Sequence, residues 1–561
     1  MEDMQEEEKL VRISWKEGIG DKHCRYCKEE LKFAHATSGK DVYCLDGVHH
    51  QIVNLYHCPD PQCKGAKEYV NPSPRLDYSN RYYGADVFRF VAKAVLQFKL
   101  KTAQIHSMLR DKQVEISEST VREMVKDVLV LKSDAIDHKT AEIVTEQGQI
   151  LLALDGQQPD NGTKSLWLFV DLLSNRVLHT QLLDKASYEN IHKIIERIVD
   201  KYQVNLVGVV SDKQGNLVKC METYYPEVPH QYCAWHFTNN IWKHLEMLDN
   251  RVHMAVKKQI KASILYTTPQ EYNITVDVQG TKEPASKVFG PVKKDLKRLT
   301  KKRTVKFETL HGIVLCQELK EFCDGVEAIL PDLPQGIQLT NILEREIQKF
   351  RKILKKVQEH MEQADEALTL FKTMYALLYE TNQDPTQLEQ QLAEHFDAVW
   401  ELAQTYGMQA KREDLKSILP SSKHTIDIYY AEQVRLWDRY HEGLFQYQHF
   451  PHDVRTNVLI EQLFSREVCY IIGQKCKRRI GFVIETQGEY LLRILHATEE
   501  ELEADILESF SKERLNRLRD ELQEKISEKT SEWVNLSDLT TSIRYLKRTY
   551  GIVDTTTPFT Q

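Results

Sequence analysis

The sequence lacks the features that would direct a protein into a membrane or out of the cell. No stretch of its 561 residues approaches the roughly 18 consecutive apolar residues that a membrane-spanning helix requires. The first residues, MEDMQEEEKLVRIS, are acidic and carry neither the basic flank nor the apolar run of a signal peptide. We therefore expect a soluble, intracellular protein.

A net positive charge is also missing. The 75 lysines and arginines are outnumbered by 83 aspartates and glutamates, which gives a formal net charge of -8. Any binding to nucleic acid must therefore come from local basic patches. The chain does contain 11 cysteines, and in an intracellular protein these favour metal ligands or buried thiols over disulfides.

Two aspartates end the most strand-like segments of the sequence. The apolar runs QILLALDG and VGVVSD stop at Asp155 and Asp212, as buried strands do when they deliver a carboxylate at one end. Residues 166–171 and 176–183 predict two further strands, and residues 188–202 predict an amphipathic helix. This helix allows the last strand to lie parallel to the first, which would bring both aspartates to one sheet edge.

Two carboxylates at one sheet edge repel each other unless a cation lies between them. A pair of divalent ions is the usual solution where phosphoryl transfer is the chemistry. Asp155 and Asp212 are therefore candidate metal ligands, and the alternative is that one of them only caps a turn.

Two cysteine knuckles, spaced C-x2-C and C-x4-C, stand near the start of the chain. They are formed by Cys24, Cys27, Cys58 and Cys63. Four thiolates complete a tetrahedral Zn²⁺ site, which is structural because no position remains for substrate. Alternative ligands are Cys44, His49, His50 and His57. We predict a zinc ribbon here, and unmetallated buried thiols are the other interpretation.

Residues 84–132 predict helices with the spacing of a helix-turn-helix. The core positions are Ile105, Leu109, Ile116, Val121 and Val125. Ser117 is suited to cap the second helix. The residues that this helix would present to DNA are Ser119, Thr120 and Arg122. An ordinary helical hairpin is the alternative.

A C-x-x-H motif follows the second aspartate. Cys233 and His236 come after a short predicted strand, and we expect a helix from Asn239 onward. The pair is either half of a zinc site or two core residues near the metal pocket, and we favour the second interpretation.

The stretch from about residue 240 to 450 has an almost wholly helical pattern, which is too long for a compact sheet domain and indicates an insertion or a separate body. Within it, residues 293–306 carry eight cations and one anion. Such a run is equally typical of a solvated face and of a phosphate-contacting surface. Residues 498–534 predict a helix or helix pair that forms a solvated bundle arm.

Glu461 is a candidate third acid. Thr456 or Asn457 can cap a helix whose first two turns contain Glu461, a suitable place for a carboxylate that faces a strand edge. A group of cations after Gly473 would hold a DNA strand near the site. These cations are Lys475, Lys477, Arg478 and Arg479.

Together these motifs resemble those of the DDE transposases of insertion sequences, with Mutator-like relatives. The resemblance rests on LALDG at Asp155, VVSDKQGN at Asp212, PHQYCAWHF with its C-x-x-H, and RTNVLIEQLF at Glu461. It covers most of residues 80–495. It implies an α/β RNase H-like catalytic core with a large all-α insertion, preceded by an N-terminal zinc ribbon and helix-turn-helix.

The resemblance and the patterns divide the chain into six predicted regions. These are a zinc ribbon (1–78), a helix-turn-helix (79–140), the first part of the core (141–240), the helical insertion (241–450), the final core helix (451–495) and a C-terminal helical region (496–561).

The resemblance also implies chemistry. Asp155, Asp212 and Glu461 would hold two Mg²⁺ or Mn²⁺ ions, with water and then a DNA 3′-hydroxyl as nucleophiles. The implied partners are transposon terminal inverted repeats, target DNA and at least one further copy of the chain. The implied location is the cytoplasm of a prokaryote, at the nucleoid.

The sequence leaves two questions open, which are the identity of the third acid and the function. The segment that leads to Glu344 also resembles the T-N-x-x-E of some relatives, but we prefer Glu461 because Glu344 stands in a long charged helix. The function itself has two rivals, an inactive domesticated DNA-binding protein and an RNase H-like nuclease.

Overall fold

The computed structural model describes most of the chain. The described residues are 12–15, 22–70, 76–78, 82–159, 164–267, 275–278, 280–301, 305–333, 338–380, 383–416, 425–474, 479–507 and 512–537. The fold is mixed α and β, with a large helical part and one five-stranded sheet. Two compact units are present, one formed by Met1–Leu206 with Val458–Gln561 and the other by Val207–Asn457. None of the helices in the described ranges is long and apolar enough to cross a membrane.

The first unit begins with a small β module. Its strands are β1 (Arg12–Trp15), β2 (Lys32–Ala36), β3 (Lys40–Cys44), β4 (Gly47–Gln51) and β5 (Asn54–His57). Strands β1, β4 and β3 form one sheet, and β2 pairs with β5 in a second. A short 3-10 helix, Lys64–Lys67, follows. The module confirms the predicted β character of the cysteine region.

Three helices follow in the same unit, as predicted. They are α1 (Ala85–Leu96), α2 (Thr102–Asp111) and α3 (Glu118–Gln147). Ser117 caps α3 by accepting the Thr120 N–H at 3.1 Å. The predicted core positions are buried except Val125, which is half-buried. Because its buried positions continue as far as Val144, α3 runs past residue 140 and ends at Gly148 in the left-handed conformation (φ 71°).

The five-stranded sheet contains the predicted strands. They are β6 (Gln149–Gln157), β7 (Ser165–Asp171), β8 (Arg176–Leu183), β9 (Asn205–Ser211) and β10 (His230–Tyr232), in the order β10-β9-β6-β7-β8. Strands β6, β7 and β8 are antiparallel, and β10 is parallel to β9. The apolar run 150–154 on β6 is fully buried, which is why it shows no alternation in sequence.

Helix α4 (Tyr188–Tyr202) connects β8 to β9, as predicted. Ser187 caps it, and Ile191, Ile194, Ile195 and Ile198 are buried on one face. The amphipathic pattern therefore predicted both the helix and its inward face.

The second unit is mainly helical. Its helices are α5 (Gly215–Tyr224), α6 (Ala234–Ala262), α7 (Ile264–Thr267), α8 (Ala285–Val288), α9 (Gly290–Leu299), α10 (His311–Ile329), α11 (Gln338–Leu378), α12 (Pro385–Thr405) and α13 (Ile426–Leu444). Short 3-10 helices in the described ranges of this unit are Leu330–Asp332, Arg412–Lys416 and Gln446–His449. Apolar clusters of described residues stabilise the unit, one formed mainly by α6, α11, α12 and α13 and another mainly by α6, α10 and α11.

One prediction for this unit needs correction, and one element was not predicted. Helix α6 begins at Ala234 and not at Asn239, because Cys233 takes the extended backbone conformation of an N-cap. The almost wholly helical pattern also did not predict the antiparallel hairpin of β11 (Thr275–Val278) and β12 (Thr281–Pro284).

The chain returns to the first unit with α14 (Val458–Gly473), α15 (Ile480–His496), α16 (Glu499–Glu503) and α17 (Lys512–Ser537). The predicted helix pair after residue 498 is confirmed, but α17 is not simply a solvated arm. It packs on α3 and α15 through buried Leu515 and Leu522. Arg519 also donates two hydrogen bonds of 2.6 Å to buried Asp127 on α3.

Candidate functional site

The four cysteines predicted as zinc ligands form a single cluster. Their sulfur atoms all lie within 4.8 Å of one another. Cys24 Sγ is 3.7 Å from Cys63 Sγ, and Cys27 Sγ is 3.4 Å from Cys58 Sγ. Four sulfurs bound to Zn²⁺ at about 2.3 Å would be about 3.8 Å apart in a regular tetrahedron. The cluster is therefore compatible with a structural zinc site.

Tight backbone turns create this cluster. In the first knuckle Lys28 has φ 64°, and its N–H donates to the Cys24 carbonyl at 2.9 Å. In the second, Gly65 N–H donates to Cys63 Sγ at 3.4 Å. A Cβ on Gly65 would come within 2.8 Å of Cys24 Sγ, so glycine permits the close approach of the two knuckles.

The thiols differ in acidity because their surroundings differ. The backbone N–H groups of Cys27 and Tyr26 lower the pKa of the Cys24 thiol to about 7. Burial raises the pKa of the Cys58 thiol to about 12. Thiolates this close repel one another, so full ionisation of the cluster requires a bound cation, and soft sulfur ligands suit Zn²⁺.

A second cluster brings together two of the three predicted catalytic acids. Asp155 lies on β6 and its side chain is buried, and Glu461 lies in the first turn of α14. A carboxylate oxygen of Asp155 lies within 4.8 Å of one of Glu461. Helix α14 contacts β6, so both acids belong to one packed part of the first unit.

The surroundings of this pair fix the positions of its carboxylates. Asp155 Oδ1 accepts the N–H of Gly156 at 2.7 Å, which orients the side chain two residues before the end of β6. Ile460, Leu463 and Phe464 are buried and anchor the first turns of α14. Two carboxylates held this close favour a cation between them, and oxygen donors suit Mg²⁺.

Asp212 belongs to the second unit and directly follows β9. The preceding Ser211 hydroxyl donates to the Asp212 carbonyl at 2.8 Å and lies 2.8 Å from His230 Nε2. Lys213 stacks over the Tyr232 ring at 4.4 Å. The backbone on both sides of Asp212 is therefore held by side-chain contacts.

The C-x-x-H pair lies at the start of α6. Cys233 is fully buried, and its sulfur accepts the Asn457 N–H at 3.4 Å. His236 is half-buried in the first turn, with its ring edge-on to Trp235 at 5.1 Å. Cys233 thus packs within the second unit.

Glu344, the alternative third acid, lies on α11 and is half-exposed. Its neighbour Glu346 is the buried acid of this segment and pairs with Lys349 at 2.6 Å. Among the residues with described positions, Glu344 joins no cluster of potential metal ligands.

The predicted DNA-contacting residues are only partly described. Ser119 and Arg122 are exposed near the start of α3, where Arg122 pairs with Glu118 at 3.1 Å, and Thr120 is half-buried. Arg479 is exposed at the start of α15. Lys475, Lys477 and Arg478 lie outside the described residues, as does part of the basic run, residues 302–304.

Sequence reasoning missed Glu467, a buried acid two turns after Glu461 on α14. Its carboxylate oxygens have no hydrogen-bond partner within the described part of the chain. Burial raises the pKa of Glu467 well above its ordinary value. Its position on the same helix as buried Ile460, Leu463 and Ile471 is the pattern that predicts this burial.

No protein-family model matches the chain, and none of the curated proteins matches it.

Proposed function

We propose that this chain is a DNA transposase of the DDE type, which binds transposon ends and catalyses Mg²⁺-dependent strand cleavage and strand transfer. The observation that carries the proposal is the pairing of Asp155 and Glu461, from a central strand and a helix start, within 4.8 Å. The resemblance of their sequence motifs to those of DDE transposases supports the same conclusion. RNase H-like topology for the core is part of this proposal.

We include Asp212 as the remaining acid. It directly follows β9, so it ends a strand as the sequence predicted. Its motif, VVSDKQGN, also resembles the second aspartate motif of the family.

In this proposal the protein contributes positioning and charge and forms no covalent bond to DNA. Asp155 is held by the buried strand β6, and Glu461 by the first turn of α14. When bound, two Mg²⁺ ions would activate the attacking oxygen and stabilise the leaving oxygen of each in-line displacement. Rigid elements suit this task because small displacements of the carboxylates would misalign the reacting groups.

DNA recognition is assigned to the first part of the chain. The cysteine cluster would hold one structural Zn²⁺, and exposed Ser119 and Arg122 at the start of α3 would contact the transposon end. Two ends must be held together for strand transfer, so we propose that at least two copies act on DNA. The site of action would be the nucleoid in a prokaryotic cytoplasm.

A cleavage assay on a duplex tests the proposal. The duplex carries the terminal repeat that flanks this reading frame, and the matched control carries a scrambled repeat. We expect Mg²⁺-dependent nicking at the repeat boundary, followed by joined products. Binding without cleavage would favour an inactive DNA-binding protein, and cleavage of RNA–DNA hybrids irrespective of the repeat would favour an RNase H-like nuclease.

A further inference from the structure

A second group of metal-ligand side chains lies at the turn between β3 and β4. Cys44 Sγ, a carboxylate oxygen of Asp46 and a ring nitrogen of His49 all lie within 4.8 Å of one another. None of the four cysteines of the cysteine cluster belongs to this group. The group is therefore separate from the site described above.

The hairpin itself produces this arrangement. Cys44 at the end of β3 pairs with Gly47 at the start of β4, so only two residues form the turn. Gly47 has φ 139°, a conformation that glycine adopts readily. Asp46 projects from the turn, and His49 Nε2 lies 2.9 Å from Asp46 Oδ1.

A second carboxylate near the group comes from the first turn of α1. Asp86 Oδ2 accepts the Leu45 N–H at 2.6 Å, which fixes the carboxylate against the turn. A Cβ on Gly84 would lie 2.2 Å from Asp86 Oδ1 and 2.6 Å from Cys44 Sγ, so these two atoms are neighbours. Asp86 Oδ1 therefore faces the same thiol as the rest of the group.

The second ring nitrogen of His49, Nδ1, is also buried. The residue is 8% exposed, and its Nδ1 is buried without a hydrogen-bond partner in the described ranges. A buried polar atom of this kind is uncommon because its hydration is lost without replacement.

We propose that Cys44, Asp46 and His49 hold a second Zn²⁺, with Asp86 as the fourth ligand. One thiolate, one imidazole and carboxylate oxygens form a donor set that Zn²⁺ accepts in tetrahedral geometry. The ion would tie the β3–β4 hairpin to the start of α1. The small β module and the first helix would then be joined by a metal bond as well as by packing.

Metal content of the full chain provides the first test. We expect two zinc ions per chain by elemental analysis of the purified protein. His49→Gln and Cys44→Ser should each lose one ion. His50→Gln is the matched control, because His50 is the next residue of β4 and is already paired with Asp41 at 2.8 Å. Two ions retained in both His49→Gln and Cys44→Ser would overturn the proposal.

X-ray absorption at the zinc edge tests the unaltered chain and so does not depend on how the variants fold. Two different sites predict a mixed shell, with sulfur at about 2.3 Å and nitrogen or oxygen at about 2.0–2.1 Å. One zinc ion per chain with a pure sulfur shell would show that Cys44 only forms a hydrogen bond with Asp86, and would overturn the second site.

Discussion

The cysteine cluster and the acidic pair collect their ligands in different ways. All four thiols lie within residues 24–63, on two tight knuckles of one small β module. Asp155 and Glu461 come from a buried strand and a distant helix, and the whole second unit separates them in sequence. A closed set of four ligands stabilises a small module, whereas an acidic pair supported by a larger fold can leave coordination positions open for substrate.

Metal removal should produce the largest difference between the two clusters. We expect brief treatment with EDTA to abolish DNA cleavage and added Mg²⁺ to restore it, because Mg²⁺ bound by a few carboxylates exchanges readily. The zinc of the cysteine cluster should stay bound, as elemental analysis of the desalted protein would show. Activity that returns with Zn²⁺ but not with Mg²⁺ would contradict the division of roles.

Loss of one carboxylate charge should have the next largest effect. We expect Asp155→Asn to lower Mg²⁺-dependent cleavage by about three orders of magnitude, a typical loss when a group that stabilises developing charge is removed. Asp212→Asn should behave in the same way. DNA binding, measured by gel shift, should stay near normal in both variants. Retained cleavage by either variant would disprove the assignment of that acid.

A matched pair of variants tests whether Glu461 or Glu344 is the third acid. Glu461→Gln should lower cleavage by about 10²-fold, because it removes a metal ligand from the cluster with Asp155. Glu344→Gln should cleave normally and change the free energy of unfolding by no more than about 0.5 kcal/mol, as for a surface position. An inactive Glu344→Gln beside an active Glu461→Gln would reverse our choice.

A smaller effect on cleavage is expected from the cysteine cluster. The Cys24→Ser/Cys27→Ser double variant should lose one zinc ion per chain and become sensitive to proteases within residues 22–70. Cleavage at saturating protein should persist, because Asp155 and Glu461 are untouched. Cys469→Ser is the control, since Cys469 is exposed on α14. An unchanged zinc content in the double variant would place the bound metal elsewhere.

Glu467→Gln should have the smallest effect. Burial raises the pKa of Glu467 and so favours the neutral carboxyl, which glutamine closely matches in shape and charge. We therefore expect near-normal cleavage, in contrast with Glu461→Gln on the same helix.

The stability of the Glu467→Gln variant should depend on pH in a defined direction. Above the pKa of an unfolded glutamate, about 4.3, the unfolded chain releases a proton that the folded chain keeps. Ionisation of Glu467 in the unfolded chain therefore lowers the free energy of unfolding of the wild type as pH rises. The variant has no carboxyl at this position, so its free energy of unfolding is not lowered in this way. We expect urea unfolding to show that the free energy of unfolding of the variant, relative to that of wild type, is higher at pH 8 than at pH 5. An equal difference at both pH values would contradict a protonated Glu467.

Apolar patterning predicted the central elements well and the less regular ones poorly. Strand β6 and helix α4 were predictable because burial dictates their residues directly. The β11–β12 hairpin was missed because its strands, TVDV and TKEP, carry little apolar alternation. The packing of α17 was missed because buried Leu515 and Leu522 stand in a charged helix. Tertiary contacts decided these cases, and a local pattern does not contain them.

The candidate sites also differ in how far a local sequence pattern could predict them. The pairs Cys24 with Cys27 and Cys58 with Cys63 could be predicted from sequence because the spacing within a knuckle is a local property. The motif at Glu461 predicted a helix start with an acid in it, but the closeness of Glu461 to Asp155 depends on how α14 packs on β6. Asp86 gave no indication of its position beside Cys44, since that contact joins a hairpin turn to a helix.

The discontinuous first unit has a consequence for synthesis of the protein. A ribosome makes Met1–Leu206, then the whole of Val207–Asn457, and only afterwards the segment that contains α14. Because domains fold as their residues emerge, the second unit can fold while the first is still incomplete. Glu461, which completes the pair with Asp155, is therefore synthesised only after the whole second unit. A prematurely terminated chain would contain all four clustered cysteines but would lack Glu461, so it would hold only one carboxylate of the acidic pair.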